Sequence, residues 1–335
     1  MKDRNINKKI NYSLELLRFI LSFWVVSQHC YKKTVRLNKG RFHVPTFMII
    51  SFYFYYKTLK FKSVFKIVER FQRILIPFII WSIFIFINNN VLFTLFGFSQ
   101  FNYLLPLKRL IYQLIFGSDY HLIFYYQFVL IFITLLFTII AFIFKKNSLL
   151  FYQISLIISY IFQYSYWNFY FFNNYTIVIK YSLGHIVEFI PFATSGLTLG
   201  CLNIITNLKK YKKLAIFFST SFLFLILKYE IFVRINGFWY PGIILNIGGI
   251  CVFVLFSLFS FKNKLLILVL KIITKFTGGI YYIHIICFLF LEKKILFIKK
   301  RMSFHCPIIV YIISYIICYL GNKMSGKTKL KLLFN

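Results

Sequence analysis

The sequence predicts an all-α fold: a polytopic bundle of about ten transmembrane helices. Three features point that way. Apolar runs of roughly twenty residues, the length a helix needs to cross a bilayer, recur along the whole chain. Of the 335 residues 60% are hydrophobic and 22% aromatic, whereas a soluble domain is roughly 45–50% apolar. The 40 basic residues fall in short clusters between apolar runs, as in KTLKFKSVFK, KKYKK and KIITK, where topology signals and anionic headgroups would put them. A net charge of +33, with only 7 acidic residues, would in a soluble protein suggest nucleic-acid binding. Here no basic surface domain exists to do it, so the expected partners are membrane lipids and no nucleic acid.

The N-terminal MKDRNINKK leads into an apolar run with no small-residue cleavage site behind it. The first span, near 13–31, therefore reads as a retained helix and not a signal peptide. The others lie near 44–57, 74–96, 122–144, 148–166, 183–203, 213–230, 241–260, 276–291 and 307–321. The stretch LLILVLKIITKFTGG ahead of the ninth reads as an interfacial helix. An even number of spans puts both termini on one side. A modest excess of Lys and Arg makes that side the cytoplasmic face of an inner membrane, although the loops at 31–43 and 292–306 are basic on the opposite side. With no internal repeat and no soluble segment outside the bundle, residues 1–335 are expected to form a single integral-membrane domain with no appended soluble domain. The six cysteines (Cys30, Cys201, Cys251, Cys287, Cys306, Cys318) show no CxxC or metal-type spacing and read as small apolar filler. A bridge between Cys30 and Cys306, both near predicted outer ends, has little support.

Within the first span, RFILSFWVVSQH sets Arg18 and His29 eleven residues apart. At about 1.5 Å and 100° per residue they lie about 16 Å apart along the axis and within roughly 20° of one face. Glu15, three residues before Arg18, shares that face within ion-pair reach. Charged groups inside a span cost several kcal/mol unless paired or hydrated, so this face should point into the bundle. The plainer reading is that Arg18 snorkels to the headgroups and His29 sits wet at the outer rim. The alignment of all three residues favours a functional face.

LELLRFILSFWVVSQH resembles the opening of the bacterial membrane-bound acyltransferase family 3, with Glu15 in an acid–x–x–Arg start and Arg18 and His29 in an Arg–x10–His pattern. HVPTFMIISFYFYYK resembles the family's second helix, with Ser51 retained and Phe52 in place of a glycine. ERFQRILIPFIIW resembles its Arg–x–x–Arg segment through Arg70, Arg73, Pro77 and Trp81. HLIFYYQFVLIF resembles a later helix entry, with Ile123 where tryptophan is usual. FIPFATSGLTLG and GGIYYIHIICF resemble two further segments, the second through Gly279, Tyr281 and His284. The six segments occur in the family's order and span nearly the whole chain. The resemblance implies a membrane-bound O-acyltransferase that moves an acyl group, acetyl most often, from cytoplasmic acyl-CoA to a hydroxyl of a surface or capsular polysaccharide or its lipid-linked precursor.

Several side chains are candidates for this chemistry. Arg70 and Arg73 share a helix face and could grip phosphate oxygens bidentately; the resemblance implies that they hold the phosphates of acetyl-CoA. Lys57, Lys60, Lys62 and Lys66 nearby read as an ordinary positive-inside loop. His29 is a candidate general base, since imidazole titrates near neutral pH. Transfer would be direct or through an acyl-histidine, and the sequence leaves both open. Arg18 either anchors the donor or pairs with Glu15. His121, beside Asp119, binds glycan or is a solvated loop histidine; His284 faces substrate or is a hydrogen-bonded core histidine. Glu188 binds acceptor hydroxyls or pairs with Lys180. His43, His185 and His305 carry no assigned role. No metal-ligand spacing, Ser–His–Asp pattern or glycine-rich phosphate loop occurs, so no metal is expected. The rival reading is an exporter or flippase of exopolysaccharide without acyl transfer, and a third is a non-catalytic scaffold of glycan assembly.

Overall fold

The structure is a computed structural model that describes residues 11–30, 43–60, 64–87, 110–111, 114–115, 125–144, 147–170, 177–235, 242–294, 306–326 and 328–334. Its architecture is all-α. Hydrocarbon offers the backbone no hydrogen-bonding partner, so long apolar runs close their own bonds as helices. In order these are α1 (Tyr12–Cys30), α2 (His43–Lys60), α3 (Val64–Ile87), α4 (Tyr125–Phe144), α5 (Ser148–Tyr170), α6 (Ile177–Cys201), α7 (Ile204–Leu208), α8 (Lys212–Ile235), α9 (Gly242–Leu258), α10 (Lys264–Ile273), α11 (Thr277–Lys294) and α12 (Cys306–Met324), followed by a 3-10 turn at Lys329–Leu333.

Each of the ten sequence-expected spans overlaps a described helix. Among the described residues three helical stretches are long and apolar enough to cross a membrane: Tyr125–Phe144, Lys264–His284 and Cys306–Met324. A fourth results if Ile186–Cys201 and Ile204–Lys228, bent by 64° at their break, form one span. That break falls at Asn203, whose φ of 46° places it in the left-handed region that Asn tolerates better than most residues. The stretch expected to lie at the interface before the ninth span instead runs on into it. Asn263 caps α10 by accepting from the backbone N–H groups of Leu265 at 2.9 Å and Leu266 at 3.2 Å. The turn after it stays bonded, Thr274 N–H to Leu270 O at 3.0 Å and Ile280 N–H to Phe276 O at 2.9 Å, so residues Lys264–His284 are long and apolar enough to cross as one stretch.

The described helix α3 begins at Val64, ten residues before the apolar span, so Arg70 and Arg73 lie on one helix as their spacing suggested. Basic side chains depress hydropathy there without disfavouring helix, since Arg and Lys are good helix formers.

Two apolar clusters fill the bundle. The larger joins α2, α4, α5, α6 and α9 around Phe52, Tyr55, Phe137, Tyr152, Phe192 and Phe253. The second joins α3, α11, α12 and the C-terminal part of α1 around Phe78, Trp81, Phe276 and Val310. The most extensive helix pairing, α2 on α6, depends on glycine. A Cβ at Gly196 would overlap the Ile49 carbonyl oxygen and come within 3.0 Å of Phe52 Cβ, and one at Gly200 would lie 2.8 Å from Tyr56 Cβ. These two glycines form a GxxxG interval, the spacing that lets two helix backbones approach in a membrane. At the other end of the chain Phe334 lies against Gly279 and Gly321, and the Trp81 indole N–H donates to Leu333 O at 3.4 Å.

Candidate active site

The two clusters meet along a file of polar and titratable side chains from α1, α3, α4 and α11. At one end, Asn11 starts α1 by accepting from Ser13 N–H at 3.1 Å and Leu14 N–H at 3.4 Å. That cap sets the register which turns Glu15 and Arg18 to one side. Arg18 Nη1 donates to Glu15 Oε2 at 3.1 Å and to Oε1 at 3.2 Å, with the arginine side chain 37% exposed and the glutamate 23%. The pairing inferred from spacing is therefore present, and it leaves the far edge of the guanidinium accessible.

Arg70 and Arg73 share a stretch of helix but part company. Arg70 turns into the bundle: Nη2 donates to Ser51 Oγ at 2.8 Å and Nη1 reaches Ser51 O at 3.4 Å. Its guanidinium carbon stacks 4.2 Å above the Tyr55 ring and 5.3 Å from that of Phe52. Its Nε is fully enclosed with no hydrogen-bond partner. Arg73 turns outward, 63% exposed, and donates to Glu69 Oε1 at 2.5 Å. The site has one half-buried guanidinium with an enclosed Nε and one surface guanidinium in place of a two-armed clamp. Ser51 and Phe52, noticed in the sequence only as a retained and a replaced family position, are the floor on which Arg70 lies. Phe52 is fully buried and packs edge-on against Phe137 at 5.7 Å, so the residue in the glycine's place is part of the core.

At the opposite end of α1 the His29 ring lies 5.3 Å from that of His284, tilted by 46°. His284 is 1% exposed, and its Nδ1 lies 3.0 Å from Ile280 O. Tyr281 stands 5.9 Å from His284, and Tyr126 stands 5.7 Å from Tyr281. The buried Gln127 bonds the Tyr281 side chain through its amide and keeps an Oε1 with no partner. Enclosed polar atoms without partners are rare in native cores and cost about 1–3 kcal/mol each. Among the described residues several such atoms occur in the bundle, and His284 Nε2, Gln28 Nε2, Gln127 Oε1 and Arg70 Nε lie at or next to the file, while Thr134 Oγ1, Thr194 Oγ1 and Asn246 Oδ1 lie elsewhere. Three of the first four residues border the file or belong to it, and Gln28 adjoins His29. Unpaired polar atoms along one file are the arrangement expected of a site whose hydrogen bonds are completed when a ligand binds, by the ligand itself or by a neighbouring side chain that turns.

Glu188 lies on α6 beside Phe189, which packs on Tyr125 at 6.0 Å and Tyr126 at 6.2 Å. Its suggested partner Lys180 has a side chain outside the described set. His121 and Asp119 lie outside the described residues, as do Ile123 and His305, and the His185 side chain. His43 is buried and stacks with Trp24 at 6.3 Å. All six cysteines are free thiols, Cys30 and Cys306 included, and the Cys30 side chain is hydrogen-bonded to that of Cys306. Sequence reasoning missed Tyr126, Gln127 and Tyr281 as members of the file. A glutamine inside YYQFVLIF was the available signal, because an amide within a span is expensive unless it faces a partner.

Apolar helices able to cross a bilayer, closed around a buried polar file, make this a membrane protein. The family model described as an acyltransferase domain, that of acyltransferase family 3, matches residues 11–323. The chain belongs to that family and is an acyltransferase. No curated protein and no solved structure matches it.

Proposed function

We propose that this acyltransferase moves an acetyl group from cytoplasmic acetyl-CoA to a hydroxyl of a surface or capsular polysaccharide or its lipid-linked precursor. It would act in the inner membrane with both termini in the cytoplasm. The observation that supports this reading is the file itself: guanidinium groups at one end, two imidazoles at the other, and about 16 Å of helix rise between Arg18 and His29. A pantetheine arm lying along that face would carry its thioester from a phosphate-binding end to a basic end.

The roles follow from charge and reach. Arg70 has an enclosed Nε without a partner and an Nη1 held only loosely, and it offers them to the donor's phosphates. Arg73 joins from the surface by exchanging Glu69 for a phosphate oxygen. Arg18, oriented by Glu15, lines the path. His29 takes the proton of the acceptor hydroxyl as its oxygen attacks the thioester carbon. The tetrahedral intermediate then collapses, the C–S bond breaks, and the thiolate leaves with the proton from His29. Glu188, and His121 outside the described residues, are assigned to the acceptor side. No metal enters the scheme.

The test is glycan O-acetyl content by NMR in cells carrying wild-type protein or His29→Ala at matched expression. Loss of O-acetyl groups with glycan export intact supports the reading. Full acetylation with His29→Ala, or none with wild type, overturns it, and the second result turns attention to an exporter.

A further inference from the structure

His284 stands between the rings of His29 and Tyr281 and is almost wholly enclosed. Its Nδ1 lies 3.0 Å from the Ile280 carbonyl oxygen, one turn earlier in α11. A carbonyl oxygen only accepts, so Nδ1 carries the hydrogen and Nε2 the lone pair. The backbone of α11 thus fixes the tautomer of this imidazole. The Nε2 left over is enclosed and has no hydrogen-bond partner. Its ring neighbour on α1 is a second imidazole.

Two imidazoles joined by an N–H···N bond of about 3 Å have ring centres roughly 5 Å apart. The observed separation of 5.3 Å brings the two rings within the reach that such a bond needs. Catalytic hydrogen bonds are often long before substrate binds and tighten in the complex.

We propose that His284 is the positioning residue for His29: its Nε2 accepts a hydrogen bond from His29, fixes which His29 nitrogen faces the acceptor, and holds the imidazolium that forms there. The proposal deepens the acyl-transfer reading above and rests on it. As the acceptor O–H bond breaks, its proton passes to the outward-facing nitrogen of His29. The oxygen's electron pair forms the new C–O bond, the C–S bond breaks, and the departing sulfur receives the proton from His29. His284 neither gains nor loses a proton; it accepts one hydrogen bond throughout. A carboxylate performs this service for the histidine of many hydrolases. In an apolar interior an uncharged acceptor does so without the several kcal/mol that burying another ion costs.

The experiment uses membrane vesicles from cells that make the glycan, with radiolabelled acetyl-CoA as the probe and acetyl incorporation as the readout. His284→Leu is expected to lower kcat about 100-fold, in the range of a lost acid–base contribution, with KM for acetyl-CoA within about twofold. His284→Gln, whose side-chain oxygen reaches the Nε2 position, is expected to recover at least roughly tenfold of that loss, while the shorter His284→Asn recovers none. The Gln and Asn variants pose the same question if the Leu variant fails to fold. Unchanged turnover in His284→Leu, or equal activity in the Gln and Asn variants, overturns the proposal. Wild-type vesicles that incorporate no acetyl group overturn the acyl-transfer reading instead, so the two failures are distinct.

Discussion

If Arg70 is the main donor contact, replacing it should matter far more than replacing its neighbour Arg73, although a helical wheel sets the two nearly together. Arg70 is held by one firm hydrogen bond, to Ser51 Oγ at 2.8 Å, and by the Tyr55 ring 4.2 Å beneath it. That leaves an enclosed Nε and an Nη1 bonded only at 3.4 Å as donors already aimed. Hydrogen bonds to charged groups are worth about 1.5–3 kcal/mol each. With two such bonds to a phosphate, partly offset by desolvation, Arg70→Ala is expected to cost about 3 kcal/mol, a rise in Kd of roughly 150-fold at 1.4 kcal/mol per tenfold. Arg73 is 63% exposed and must first give up Glu69. An exposed ion pair of this kind contributes about 1 kcal/mol at most, so Arg73→Ala should raise Kd by no more than about fivefold. Binding of acetyl-CoA to detergent-purified protein by isothermal titration calorimetry measures both. Equal losses, or a larger loss for Arg73→Ala, would refute the division of labour between the half-buried and the surface guanidinium.

Two further outcomes follow from the same geometry. Ser51→Ala removes the acceptor that aims Arg70 and should raise the acetyl-CoA Kd about fivefold, one ordinary hydrogen bond's worth; calorimetry on the same preparation reads it, and an unchanged Kd would show that the stack on Tyr55 suffices. Gly196→Ala sets a methyl against the Ile49 backbone carbonyl, whereas Gly249→Ala sets one 2.9 Å from the movable Ile49 Cδ1. The first should lower stability by about 1–3 kcal/mol and the second leave it nearly unchanged, as read by thermal melting in detergent, because backbone cannot yield where a side-chain tip can.

The helices were legible in the sequence wherever apolar residues run unbroken, since a bilayer leaves the backbone no alternative. Legibility failed where hydropathy and helix part ways. Residues 64–73 are basic and helical at once, so the apolar span marks only the later part of α3. The interval from Arg18 to His29 was readable because both lie on one helix, and the Arg18–Glu15 pair followed from it. The neighbour of His29 was not readable. His284 reaches it through the packing of α11 on α1, a contact between distant segments that no local spacing encodes. The divergence of Arg70 and Arg73 was hidden for a different reason: an i, i+3 pair shares a face only until each side chain finds its own partner, here Ser51 and Glu69.

The glycine contact between α2 and α6 bears on how this protein can change over time. Phe52 Cβ is among the atoms a side chain at Gly196 would displace, and Phe52 stands beside the serine that aims Arg70. A drift at position 196, on a helix that carries neither Ser51 nor Arg70, is therefore felt at the Arg70 end of the file. Positions 49, 52 and 196 are expected to accept new residues only in concert, so that across descendants of this sequence they would vary as one inherited unit.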